Sequence, residues 1–341
     1  MTTVSVILPT FNRARWLTHA IESVLNQRNC DFELIVVDDG SVDETSEVLK
    51  RFGSTLTCIS QANAGVAAAR NRGIARATGT WLAFIDSDDE WHMDYLNSQV
   101  QHLQQHPDLV MLLANCHLRG HAGPHPTYFS LNGVDDALHR HGVSEPVSST
   151  CRRLERGFTF VLEHPPWQLG ATLMRRDAVM QSGLFFERLT LSEDLDLIAR
   201  MTLQGPLALV FEPRVDVHRR PADLWSLSDP ITLGPWRSLM ANETVYARLS
   251  KWPGLTPNER RTVKRICSQN RRAIAHQFAL QGQPLQARAW YLRSLWQSPS
   301  WASLAATTCA CLPAPLHRRV LRWSHQWRRP GRQRTPLEGT S

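Results

Sequence analysis

The chain lacks any apolar run near the ~18 residues that a membrane-spanning helix requires, although 42% of its 341 residues are hydrophobic. It also lacks paired cysteines. The seven it has (Cys30, Cys58, Cys116, Cys151, Cys267, Cys309 and Cys311) are scattered and odd in number. Their spacing fits no zinc module and points to a reduced, cytoplasmic compartment. The opening stretch, MTTVSVILPTFNR, has no basic start and no small-residue cleavage site. It reads as a first core strand, not a targeting peptide. Finally, residues 260–337 contain no Asp or Glu but 15 Lys or Arg, so the other 23 basic groups face all 31 acids. The net charge of +7 is therefore an acidic body carrying a basic C-terminal region. Charge of this kind, with no nucleic-acid motif beside it, does not point to nucleic acid.

The length suits one large domain with an appendage, or two domains. Strands are expected at 4–8, where Pro9 stops the run, and at 34–37, 56–59 and 81–85. Helices are expected at 14–27, 43–52 and 64–77. This alternation predicts an α/β fold with a mostly parallel sheet and helices on both faces. Ligands of such sheets bind beyond the carboxyl ends of the strands. Polar clusters stand at three of those ends: Thr10 to Asn12, Asp38 to Ser41 and Asp86 to Asp89. Residues 119–149, rich in Gly, His, Pro and Ser, read as loops over the sheet. Order returns with a strand at 171–174, a helix from Arg176, the stretch LSEDLDLIARM and a strand at 207–211. Beyond Pro230 the pattern is helical, and 287–296 reads as one helix of a hairpin with no solenoid repeat. The implied boundary separates 1–228 from a helical, basic 229–341.

Four acids crowd the five positions from Asp86 to Glu90, and like charges repel. Carboxylates at i and i+2 past a strand end can share one hard cation, Mg2+ or Mn2+, which commonly bridges to phosphates. A solvated turn capping the next helix is the plainer account of an isolated pair. A second acid pair, Asp38-Asp39, at an equivalent strand end favours the cation.

Four segments, VILPTFNRARWLTHAIESVLNQ, ELIVVDDGSVDET, NAGVAAARNRGIARATGTWLAFIDSDDEW and SGLFFERLTLSEDLDLIARMTLQG, occur in this order. Together they resemble the inverting family 2 glycosyltransferases of the GT-A fold, over residues 4–226. The resemblance implies a Rossmann-like mixed sheet flanked by helices, followed by the helical C-terminal region. It also implies sugar transfer from a nucleotide sugar, UDP-linked, to a glycan or lipid-linked acceptor in cell-surface polysaccharide synthesis. Pro9, Thr10, Phe11 and Asn12 would line the nucleotide pocket, and Asp39, with Gly40 and Ser41, would contact the uracil. A carboxylate accepting from an imide N–H tells uracil from cytosine. Gly65 and Arg70 follow at the third loop, where Arg70 would pair with the diphosphate or with the acids. Asp88 would bind the metal, and Asp86, with Ser87 between them, would contact the ribose or the metal. Asp194 takes the place of the base that removes the acceptor proton, and Glu193 would orient it; an acidic first turn favoured by the helix dipole is the plainer account. Asp196 and Arg200 read as a supporting ion pair.

Two departures qualify the likeness. Where the family often has a basic stretch with a His, this chain reads Val217-His218-Arg219-Arg220-Pro221, leaving His218 or Arg219 for the phosphates. The QxxRW signature of processive synthases is absent, since Arg237 follows Trp236. That favours single-sugar transfer. Trp167 stands where an acceptor sugar would stack, or is a core residue. LHRRVLRWSHQWRR, at 316–329, suits an anionic membrane surface or a solvated helical tail. A nucleotidyltransferase is the alternative enzyme, but PTFNR is not its Gly- and Lys-rich phosphate loop. A scaffold that has lost activity is the alternative outside enzymes.

Overall fold

The computed structural model describes residues 3–120, 127–143, 150–165, 167–218, 235–299, 304 and 308. The first half alternates as the apolar pattern dictates. Strand β1 (Val4–Thr10) leads through α1 (Ala14–Leu25) to β2 (Phe32–Asp38), and α2 (Thr45–Phe52) leads to β3 (Thr57–Ser60). Then α3 (Val66–Arg76) returns the chain to β4 (Trp81–Phe84), short β5 (Glu90–Trp91) and α4 (Tyr95–Gln105). Next come β6 (Met111–Ala114), β7 (His117–Arg119), α5 (Tyr128–Leu131), α6 (Val134–Arg140), β8 (Cys151–Leu154) and α7 (Phe158–Glu163). After β9 (Thr172–Arg175) and α8 (Arg176–Ser182) lie α9 (Glu193–Met201), β10 (Leu207–Val210) and β11 (Val215–His218). Three helices close the described chain: α10 (Pro235–Leu249), α11 (Pro257–Leu280) and α12 (Pro284–Gln297).

The main sheet has eight strands in the order β3-β2-β1-β4-β9-β6-β10-β8. The first four run parallel, and β9 and β8 run against their neighbours. All seven residues of β1 are buried, as a central strand covered on both faces must be. Each of its fully buried Ile and Leu side chains contributes about 1.5–3 kcal/mol relative to exposure. Helix α3 packs on β1 so closely that a Cβ on Gly73 would lie 2.6 Å from Ile7 Cγ2. A second sheet of three short strands, β5-β11-β7, stands apart.

Three expectations need correction. Pro9 does not end β1, which runs on to Thr10 with Pro9 in register with Val37 of β2. The reason lies in which side lacks the N–H. The Ile7 carbonyl accepts from Ile85 on the β4 side. Alternation puts the N–H that Pro9 lacks on that same side, past the last β4 pair, Ile7 with Phe84. Nor are residues 119–149 only loops, since α5 and α6 lie within them. Val134, Ala137 and Leu138 of α6 are buried at helical spacing, a pattern that the surrounding Gly and His residues obscure. Gln27 also falls outside α1, as Asn26 caps it.

By compactness the chain divides into residues 1–263 and 264–341. The compositional boundary at 228/229 lies outside the described residues. Within the second unit, the later part of α11 and α12 form the expected helical hairpin. Ser268 and Ser294 meet across it with their hydroxyls 2.8 Å apart, and Ala275, Ala279, Ala287 and Tyr291 form its small core. Among the described residues no helix is long and apolar enough to cross a membrane. The basic segment 316–329 lies outside the described residues.

Candidate active site

Strands β1, β2 and β4 end at one edge of the sheet, where the first turns of α3 and α9 also arrive. A cleft of about 660 Å³ opens there. Pro9, Thr10 and Phe11 line it from β1, Asp39 from β2, and Gly65 and Arg70 from the start of α3. Asp86, Ser87 and Asp88 line it after β4, with Glu193 and Asp194 from α9. The chain thus brings residues nearly two hundred positions apart into one hollow.

Asn12, Gly40 and Ser41 do not line the cleft but lace its walls together. The Asn12 N–H donates to Ser41 Oγ at 2.9 Å, and Asn12 Oδ1 accepts from the Val42 N–H at 2.8 Å. A Cβ on Gly40 would come within 2.8 Å of the Asn63 nitrogen, so only glycine fits. His218, at the end of β11, gives its backbone N–H to Asp89 at 3.0 Å, and its ring Nε2 lies 3.2 Å from Glu90. It is not among the residues lining the cleft. Arg219 lies outside the described residues.

Asp39 is buried and accepts three hydrogen bonds. Its Oδ1 takes Gln61 Nε2 at 2.7 Å and the Ala64 N–H at 2.9 Å, and its Oδ2 takes the Gly65 N–H at 2.8 Å. Gly65 holds φ at +93°, a conformation that glycine adopts without strain and that turns its N–H inward. Asp39 therefore fixes the shape of the loop entering α3. The Thr10 hydroxyl, on the cleft wall, is 3% exposed and has no hydrogen-bond partner.

Arg70 is the hub. Its Nη1 donates to Glu193 Oε1 at 2.6 Å and its Nη2 to Asp86 Oδ1 at 2.9 Å. Burial works against its charge, but the Asp86 and Glu193 carboxylates outweigh that and hold its proton more tightly than usual. Burial pushes the Glu193 carboxyl up, Arg70 pulls it back, and neighbouring Asp194 pushes it up again, leaving it raised. One cation serving two carboxylates cannot hold both at full strength. Arg70 thus pairs with two of the acids.

Asp194 accepts from the Leu195 N–H at 2.7 Å and from Trp167 Nε1 at 3.1 Å. Trp167 is buried, so its ring is a core ring and its indole N–H orients a carboxylate on the cleft. No local pattern discloses a pairing across 27 positions. Ser192, just before α9, takes φ of +60°, a strained setting for a non-glycine residue that launches the helix with its acids toward the cleft. Ser192, Thr190 and Ser238 also line it, and the sequence marked none of them. Asp196 and Arg200 pair at 2.7 Å while fully buried, and Arg248 adds a contact to Asp196 at 3.1 Å. The supporting ion pair is as expected.

Residues 5–124 match the family described as Glycosyl transferase family 2. An uncharacterized glycosyltransferase of Rickettsia conorii, RC0461, is 39% identical over 152 residues, 44% of this chain and 24% of that protein. A candidate teichuronic acid biosynthesis glycosyltransferase of Bacillus subtilis, TuaG, is 37% identical over 106 residues, 30% of this chain and 42% of that one. The matching stretch thus spans less than half the length of either relative. Among solved structures, residues 1–349 of S. aureus TarS with UDP-GlcNAc superpose with a TM-score of 0.67 at 16% identity, over 95% of this chain and 92% of that one. A mannosyltransferase of Pyrobaculum calidifontis with GDP-Man and Mn2+ gives 0.56 at 17% identity, over 94% and 84%. These superpositions identify the fold as GT-A. Over residues 5–124, this chain is similar to glycosyl transferase family 2.

Proposed function

We propose that the protein is a metal-dependent, inverting glycosyltransferase that moves a single sugar from a UDP-sugar to a glycan or lipid-linked acceptor in cell-envelope polysaccharide synthesis. The observation that carries this reading is the convergence of Asp39, Asp86, Asp88, Glu193 and Asp194 on one cleft. The family match supports sugar transfer, and the UDP complexes of TarS, alike in fold, support the donor class.

The cleft's own residues suit such a ligand. Asp39 Oδ2 accepts one backbone N–H and keeps lone-pair capacity for an imide N–H of the base. The unpartnered Thr10 hydroxyl offers a hydrogen bond on the same wall. Asp86 and Asp88 supply hard carboxylate oxygens two positions apart, the donor type that Mg2+ or Mn2+ prefers. Asp86 and Asp88 would hold the ion, which would supply charge neutralisation for the departing diphosphate. Asp194 accepts the proton of the acceptor hydroxyl as that oxygen attacks the anomeric carbon from the face opposite the leaving group, inverting it. The Trp167 and Leu195 donors fix its carboxylate while leaving it capacity to accept. Arg70 ties Glu193, the neighbour of this base, to Asp86. The segment 316–329 is assigned a peripheral contact with anionic membrane surfaces.

Isothermal titration against UDP, GDP, CDP and ADP, with and without Mn2+, tests the reading. UDP binding that needs metal and is lost in Asp88→Ala is the expected result. Binding indifferent to nucleotide, metal and Asp88 would overturn it.

A further inference from the structure

The carboxyl-terminal ends of α6 and α7 bring together two imidazoles and a carboxylate that are not among the residues lining the cleft. His141 follows the last turn of α6, Glu163 ends α7, and His164 follows it. Their ligand-type atoms all lie within 4.8 Å of one another, the one group of three among the described residues that does so. His141 Nε2 stands 3.1 Å from Glu163 Oε2, and the His141 and His164 rings meet edge to face with centroids 5.6 Å apart. Phe160 braces both rings, with its centroid 5.4 Å from His141 and 6.0 Å from His164. All three side chains are half-buried, accessible to an ion yet held in place.

From this juxtaposition we propose that His141, Glu163 and His164 form a second, transition-metal site, taking a Zn2+-class cation and tying the end of α6 to the end of α7. Two imidazoles and one carboxylate form a donor set that zinc uses, with bonds of about 2.0–2.2 Å. Ligand atoms on such an ion sit roughly 3.3 Å apart. The 3.1 Å separation of His141 and Glu163 already matches that, and the remaining ligand-type atoms lie within 4.8 Å. Three protein ligands leave a fourth position for water. The site differs in kind from the cleft: imidazole nitrogen favours zinc and its neighbours, while the all-oxygen Asp86–Asp88 pair favours Mg2+ or Mn2+. A hydrogen bond between His141 and Glu163 without any ion is the competing account of the same geometry.

The test uses the full chain and a chelated Zn2+ competition, with Co2+ absorption as a second probe, and does not depend on the proposed transferase activity. The Asp88→Ala protein is expected to bind one Zn2+, show a visible Co2+ band of a tetrahedral site and melt at a higher temperature when Zn2+ is added. His141→Gln and His164→Gln, each folded by circular dichroism, are expected to lose tenfold or more in Zn2+ affinity along with the band. His102→Gln, on α4, is expected to leave both unchanged. No Zn2+ binding in the parent chain, or binding equally strong in both His variants, would overturn the proposal.

Discussion

Helix α9 carries three acids in its first four residues, and they meet two opposite fates. Glu193 and Asp194 open onto the cleft, with Arg70 shared between Glu193 and Asp86. Asp196, two residues on, is fully buried and held by Arg200, whose guanidinium also reaches the carbonyls of Ser182 and Leu184. Arg248 adds its own contact and lies 3.6 Å above the Phe186 ring. At the first pair, charge is under-compensated and available to a ligand. At the second, all three guanidinium nitrogens of Arg200 donate within the protein. One helix of nine residues thus turns its first two acids to the cleft and builds its third into the core.

The sharpest way to break this contrast is to remove the proposed base. Asp194→Asn keeps the shape of the side chain but cannot take a proton, so turnover of a UDP-sugar, read as UDP release, is expected to fall about 10²–10⁴-fold. UDP affinity and melting temperature are expected to hold. Unchanged turnover would put the base elsewhere and leave the first turn as a helix cap.

The mirror experiment addresses Asp196. Asp196→Ala leaves Arg200 buried without its carboxylate, a change that costs about 3–5 kcal/mol. Urea denaturation is expected to show that loss, and protein folded at low urea is expected to keep its UDP affinity. A stability loss below about 1 kcal/mol would mean that the carbonyls of Ser182 and Leu184 suffice for Arg200, and the contrast within α9 would soften.

Much of this arrangement was legible before any coordinates. Strands covered on both faces read as apolar runs, so β1, β2 and β4 announce themselves, and acids at their ends stand out because nothing apolar disguises them. The ion pair of Asp196 and Arg200 was legible too, since four residues separate partners one helical turn apart. What could not be read were contacts set by packing of distant elements. Arg70 reaches Glu193 across 123 positions, and the Trp167 indole reaches Asp194 across 27; neither spacing has a local signature. Pro9 misled for a different reason. A missing N–H matters only on a side where a neighbouring strand still pairs, and composition does not record that side. Helix α6 stayed hidden because its three buried residues sit among Gly, His and Asp that read as loop.

Trp167 offers a finer test of the first turn. Trp167→Phe keeps an aromatic ring and removes the N–H donated to Asp194. A hydrogen bond to a charged group is worth about 1.5–3 kcal/mol, so kcat is expected to fall roughly 10–100-fold with KM for the donor little changed. A rise in KM with kcat preserved would place Trp167 in substrate binding and remove it from positioning the base.

The smallest effect is also the most discriminating, because it asks whether Glu193 is held as firmly as Asp196. Burial raises the Glu193 carboxyl above its ordinary value, and Arg70 only partly reverses this. An acid whose folded pKa is raised binds its proton more tightly in the native state. Its contribution to stability is therefore fully present below the ordinary glutamate pKa and lost as pH rises through the folded one. Glu193→Gln cannot titrate, and its amide oxygen can still accept from Arg70 Nη1. The stability of the parent protein relative to Glu193→Gln is thus expected to decline as pH climbs from about 4, measured as urea midpoints across a pH series. A relative stability that rises over the same range would show Arg70 dominating burial. Glu193 would then be a locked partner like Asp196, and the first turn of α9 would hold one poised acid, Asp194, where the geometry gives it two.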